Sequence, residues 1–233
     1  MGSITESTQQ ALALLFGGDP GLWEIVGISF QVSLTAIGIA TPMALAIAFL
    51  LAFGRFPGRR LLITLFNTLL SFPAVVVGLT FYLLLSRQGP LGDWQLLFTQ
   101  PAMVLGQIAL ALPILVAMGH SSLQAVDRRA WETARTLGAG VPRAVLTLMR
   151  EARFGLLGAM LAGFGRIIAE VGASMMLGGN ILHYTRNIPT AIALESSKGE
   201  FAQGIALGLV LLILAFTINA MLNYLQGKGI PVT

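Results

Sequence analysis

Four stretches of this sequence, residues 25–53, 61–86, 101–125 and 201–225, each run for 25 residues or more without one Asp, Glu, Lys or Arg. A helix needs about 20 apolar residues to cross the hydrocarbon core of a bilayer, and only helices and closed barrels satisfy their own backbone there. A fifth stretch, 154–179, is as apolar but carries Arg166 and Glu170. The sequence therefore predicts an all-α polytopic membrane bundle of about five transmembrane helices, a single domain over residues 1–233. Only 10% of the residues are charged and 55% are hydrophobic, less than half the charged share of an ordinary soluble domain.

What separates the spans is turn and charge chemistry. Residues 54–60 read Gly-Arg-Phe-Pro-Gly-Arg-Arg, residues 87–100 are rich in turn formers, and residues 180–200 are polar. Pro73 and Pro113 lie inside the second and third spans, where they predict kinks whose freed carbonyls neighbouring helices or water must satisfy. No Lys or Arg precedes the first apolar run, so residues 1–20 read as an uncleaved tail and not as a signal peptide.

The basic residues are distributed unevenly. Ten of the 14 Lys and Arg residues fall after spans one, three and five, including Lys228 in the tail, whereas Arg87, Arg186 and Lys198 fall after spans two and four. The positive-inside rule then places the N-terminus outside, segment 127–153 in the cytoplasm, and the C-terminus in the cytoplasm. The sequence pI of about 10.1 is thus a signature of membrane topology and does not point to nucleic acid. With no cysteine, neither disulfides nor thiolate metal sites are available. The region His183-Tyr184-Thr185-Arg186 is expected as a solvated outer loop, and a lone His without a second ligand is a poor metal site.

Within 127–153, Asp127 can cap the exposed N–H groups of a short helix and Gly138 suits its left-handed stop. Ala130, Ala134 and Leu137 recur at helical spacing and form a slim apolar face. On physical grounds that face fits either a groove on another protein or the plane of the lipid headgroups. Sequence likeness separates the two. Glu132-Thr133-Ala134-Arg135-Thr136-Leu137-Gly138-Ala139 resembles the coupling loop, Glu-Ala-Ala followed by glycine, of ABC importer permeases. The resemblance implies a coupling helix docked in a cleft of an ATP-binding subunit, with Glu132, Ala134, Leu137 and Gly138 carrying the contact. Thr133 stands where the family has alanine, and the family's later Leu-Pro pair falls on Arg150-Glu151.

The segments Ser71-Phe72-Pro73-Ala74, Ser86-Arg87-Gln88-Gly89-Pro90 and Glu170-Val171-Gly172-Ala173 resemble the tungstate branch of the oxyanion importers, with the molybdate branch close behind. That likeness implies a homodimer of permeases, an extracytoplasmic oxyanion-binding protein, separate ATP-binding subunits, and a place in the cytoplasmic (inner) membrane.

Arg166 and Glu170 are four residues apart and share one helix face. Either one alone in lipid would cost about 2.5–3.5 kcal/mol. They can line a path for a dianion, together with donors from Ser174 and Asn180, or they can neutralise each other as a structural pair. Small residues four apart (Gly158/Ala162, Ala159/Gly163, Ala169/Ala173, Gly204/Gly208) permit close helix contact, within one chain or between two copies. No phosphate-binding loop, Ser/His/Asp set or His-Glu-x-x-His pattern is present. The chain reads as a transport subunit without a cofactor, and not as an enzyme. The rival from another class is a stand-alone channel or ion-coupled carrier.

Overall fold

A computed structural model describes the backbone of residues 4–226 and the side chains within it, except those of residues 4, 5, 128, 130, 134, 141, 142, 222, 225 and 226. Eleven α-helices account for most of the described residues: α1 (Ile4–Phe16), α2 (Pro20–Phe53), α3 (Arg59–Leu69), α4 (Ala74–Leu85), α5 (Gln100–Gln124), α6 (Arg128–Thr136), α7 (Val141–Glu151), α8 (Arg153–Ile168), α9 (Gly172–Gly178), α10 (Ile188–Lys198) and α11 (Phe201–Gln226). Lys228 lies outside the described residues.

α2 starts earlier than its uncharged run because Asp19 accepts a hydrogen bond from the Leu22 N–H at 2.8 Å and Pro20 occupies the first turn. It continues through Pro42 to Phe53. Its buried stripe, Ala36, Ala40, Ala44 and Ala48, consists of small residues four apart, which brings α5 in along its length. A Cβ added at Gly119 of α5 would lie 3.3 Å from that of Ala48. At the far end Arg59 caps α2 by donating to the carbonyls of Leu51 (2.6 Å) and Ala52 (3.4 Å). α5 is central, flanked by α2, α8 and α9.

Two of the expected spans, 61–86 and 154–179, are not continuous helices. α3 meets α4 at a bend of 102°, and α8 meets α9 at 64°. The first break follows from Pro73: it has no N–H to donate and pushes Phe72 out of the helical region. α3 has no buried residue, whereas α4 buries Ala74, Val77, Gly78 and Leu85. α2, α5 and α11 are each long and apolar enough to cross a membrane, and the bent pairs raise the number of candidate spans to five.

Two segments read as tail and loop turn out to be packed structure. Residues 4–16 form α1 against α11, where Ala11 is fully buried beside Leu22 and Leu207. The segment 180–200, polar in sequence, contains α10, opened by an Asn187–Thr190 capping box and closed by Gly199 at φ +83°. α10 buries Ile188, Thr190, Ala191 and Glu195 against α2 and α11. Glu195 is held by Lys198 at 3.0 Å, which explains how a carboxylate is tolerated there.

The small-residue pairs divide between two uses. Gly163 packs on Leu115 and Ile37, and Ala173 packs on Gly78, both within the chain. Ala162, Ala169 and Gly208 instead line an open apolar groove of about 520 Å³ between α8 and α11.

Candidate functional site

The break between α8 and α9 is built from polar groups in an apolar core. α8 ends because residues 169–171 leave the helical hydrogen-bond pattern: the Glu170 N–H turns back to the Ile167 carbonyl at 3.2 Å, and the helix resumes at Gly172. Glu170, with its side chain only 10% exposed, spans the gap. One carboxylate oxygen accepts from Arg166 Nη1 at 2.5 Å and the other accepts from the Gly172 N–H at 3.0 Å. The Arg166–Glu170 pair expected from spacing therefore exists, and it does something spacing alone does not reveal, which is to staple the last turn of α8 to the first turn of α9. Arg166 remains 43% exposed on the outside of the chain.

A third polar residue joins the break. Gln107 of α5, 2% exposed, donates to the Ile167 carbonyl at 3.3 Å, the same acceptor to which the Glu170 N–H turns back. Its signal was present in the sequence as the one amide inside the uncharged 101–125 run apart from Gln124 at its end.

Ser174 stands in the first turn of α9, whereas Asn180 is apart from the Arg166–Glu170 pair. Ser174 is 2% exposed, and its Oγ has no hydrogen-bond partner among the described residues. Asn180 lies past the other end of α9, at φ +52°, with a buried and unpartnered Oδ1. Seven residues of helix separate the ends of α9 by about 10 Å, which sets Asn180 apart from the break.

The far end of α9 is closed by groups from two loops. The Phe98 N–H donates to the Leu177 carbonyl (2.8 Å), and the Thr185 hydroxyl donates to the Gly178 carbonyl (2.5 Å). The 183–186 segment is solvated as expected at His183 and Tyr184, with Arg186 half-buried, but Thr185 is fully buried. At the exposed surface His183 Nδ1 meets Glu24 Oε2 at 2.6 Å. The seam around α9 is close: a Cβ at Gly78 would sit 2.9 Å from Ala173 Cα, and one at Gly178 would sit 2.6 Å from Met103 Sδ. Gly78→Val is expected to destabilise the bundle by roughly 1–3 kcal/mol, as overpacking does. It should be read as a lower thermal midpoint in detergent, and an unchanged midpoint would count against this contact.

The second site is α6. Asp127 accepts from the Arg129 N–H at 2.9 Å, and Gly138 ends the helix at φ +81° with its N–H on the Arg135 carbonyl. Trp131 stacks on Phe53 at the end of α2 (centroids 6.3 Å, 16° between planes). Glu132 lines a hollow on the same side together with Arg55 and Arg59. Leu137 is 82% exposed, an unusual position for a leucine unless something covers it. The backbone of Ala134 lies within α6, and its side chain is outside the described residues. Sequence spacing identified the cap, the stop and Leu137 but not the Trp131 anchor, which needs the distant Phe53.

Compared with known proteins, the chain is 40% identical over 223 residues to the tungstate uptake system permease protein TupB of Campylobacter jejuni, covering 96% of this chain and 93% of that one. It is 31% identical over 188 residues to the molybdenum transport system permease protein ModB of Escherichia coli K12, covering 76% and 82% of the two. A solved chain of the MetNI methionine ABC transporter in an inward-facing crystal form matches with a TM-score of 0.65 over 93% of this chain and 96% of that one, at 19% identity, a likeness of fold. No protein-family profile matches the chain. With 40% identity across almost the whole of both sequences, the chain belongs to the family of ABC transporter permeases that includes the tungstate uptake permeases.

Proposed function

We propose that this multi-pass membrane permease imports tungstate, with molybdate as the alternative oxyanion of the same type. The observation that carries the choice is the 40% identity to a tungstate permease against 31% to a molybdate permease. ATP hydrolysis belongs to separate subunits that dock on α6, and an extracytoplasmic oxyanion-binding protein delivers substrate. The N-terminus is outside and the C-terminus cytoplasmic, in keeping with the bias of Lys and Arg.

In this reading the permease works as a homodimer. Support comes from Arg166, 43% exposed on the outside of the chain in a span, where lipid contact would cost about 2.5–3.5 kcal/mol. A second copy facing it would enclose a path, and Arg166 would then attract a dianion while Glu170 limits how tightly it is held. Ser174 and Asn180 supply uncharged polar groups farther along. Leu137 and Gly138 meet the ATP-binding subunit, with Glu132 and Ala134 beside them.

ATP-dependent uptake of tungstate and molybdate into vesicles containing this chain, its ATP-binding partner and the binding protein tests the reading. Uptake should require all three and favour tungstate. ATP-independent flux through the chain alone would replace the importer with a channel or carrier.

A further inference from the structure

We infer that a water molecule is held between α2, α5 and the end of α8, with Ser33 Oγ and Gln107 Oε1 as its side-chain partners. The two residues are 1% and 2% exposed, and neither atom has a hydrogen-bond partner among the described residues. Buried polar groups are almost always paired, with protein or with ordered water. At that depth another subunit cannot reach them.

The two atoms are left over for identifiable reasons. Gln107 donates through its amide nitrogen to the Ile167 carbonyl, which fixes the amide's orientation and leaves Oε1 as an acceptor. Helical hydroxyls commonly return to the carbonyl four residues back, as those of Ser29, Thr35 and Ser122 do at 2.7–3.0 Å. Ser33 makes no such bond. Glu170 cannot serve either atom, because Arg166 and the Gly172 N–H occupy its two oxygens.

Packing brings Ser33 and Gln107 to the same place. α2 and α5 run side by side in register: Ala48 meets Gly119 at one level, and 16 residues earlier in each helix Val32 shares a buried cluster with Met103. Gln107 is one turn beyond Met103, so Ser33 lies within a turn of it. α8 crosses α2 in the opposite direction, with Gly163 against Ile37 and the Phe164 ring 6.1 Å from that of Phe30. One turn further along α8, Ile167 is level with Ser33, and Ile167 is where Gln107 bonds.

The chemistry of the partners selects the ligand. Gln107 Oε1 can only accept, as can the last-turn carbonyls of α8, which lose their helical donors at the break. The ligand must therefore donate twice. Water does so and also accepts from the Ser33 hydroxyl, giving the three or so hydrogen bonds usual for a buried water. An oxyanion offers only acceptors and is repelled, so the site is separate from the substrate path. Ordered water is one of the means by which a broken membrane helix satisfies its freed backbone groups.

The test is a crystal structure of the full chain in a lipid mesophase, at a resolution that shows ordered waters. Wild type should show a density peak within hydrogen-bond distance of both Ser33 Oγ and Gln107 Oε1. In detergent, Ser33→Ala and Gln107→Leu should each lower the thermal midpoint by about 3 °C. Ser33→Ala/Gln107→Leu should lose no more than Gln107→Leu alone, because both residues act through one water. No peak, Ser33 Oγ bonded to its own helix, or additive losses would overturn the site. A peak that vanishes when sodium is replaced by N-methylglucamine would make the ligand a cation, and the water assignment fails. If Gln107→Leu does not fold, the wild-type peak still decides. The readout needs neither ATP nor substrate, so it is independent of whether tungstate is transported.

Discussion

Glu170→Ala is expected to reduce the amount of folded protein in the membrane sharply, and Arg166→Ala to leave that amount near wild type while uptake falls by about tenfold or more. The asymmetry follows from exposure. Glu170 is nearly buried and holds both Arg166 and the Gly172 N–H. Removing it strands a guanidinium in the span and leaves a backbone donor unpaired where water is scarce, a loss of about 1–3 kcal/mol for the donor alone. Removing Arg166 leaves the carboxylate its Gly172 bond and removes a side chain that is already 43% exposed. Glu170→Gln, which keeps an acceptor for Gly172, should recover folding but not normal uptake. Protein quantified in membranes beside uptake per molecule separates the outcomes. If Arg166→Ala also fails to assemble and Arg166→Ala/Glu170→Ala restores it, the pair is structural and the proposed path lies elsewhere.

Gly138→Trp should abolish substrate uptake while leaving the bundle folded. A Cβ at Gly138 meets nothing within 4 Å in the chain, so the added ring projects outward, into the space the ATP-binding subunit is proposed to occupy. Backbone strain must be separated from bulk, because φ is +81° and any L-residue there costs about 1–2 kcal/mol. Gly138→Ala carries the same strain without the ring and should retain most uptake. Equal failure of the two would assign the effect to the helix stop and not to a docking contact. Normal uptake in Gly138→Trp would remove α6 from the coupling role.

The parts of this fold that depend on a residue and its near neighbours were legible in the sequence. Uncharged runs revealed the spans, and Asp127 and Gly138 marked the ends of α6. The Arg166–Glu170 pair followed from helical spacing. What the sequence hid depends on distant partners. The 169–171 break contains no proline and becomes stable only when Glu170 reaches Gly172 and Gln107 reaches the Ile167 carbonyl. α10 looks like a polar loop because its polar residues find their partners only in the folded chain: Asn187 bonds Thr190, Lys198 bonds Glu195, and the Ile188 N–H donates to Ser29 of α2 at 2.7 Å. Asn180, offered with the Arg166–Glu170 pair as a polar group of one path, lies past the far end of α9, a separation that a single continuous span does not reveal.

α2 has a mechanical consequence. It is one helix of 34 residues, about 50 Å long, and its two ends touch different parts of the chain: Glu24 meets His183 at one end, and Phe53 stacks on Trp131 of α6 at the other. Leverage over that length is large. A tilt of about 5° about one end displaces the other by about 4 Å, more than a hydrogen bond tolerates. If α6 is the coupling element proposed above, a push on it would reach the Glu24–His183 contact at the other end of α2 without any helix unwinding between them.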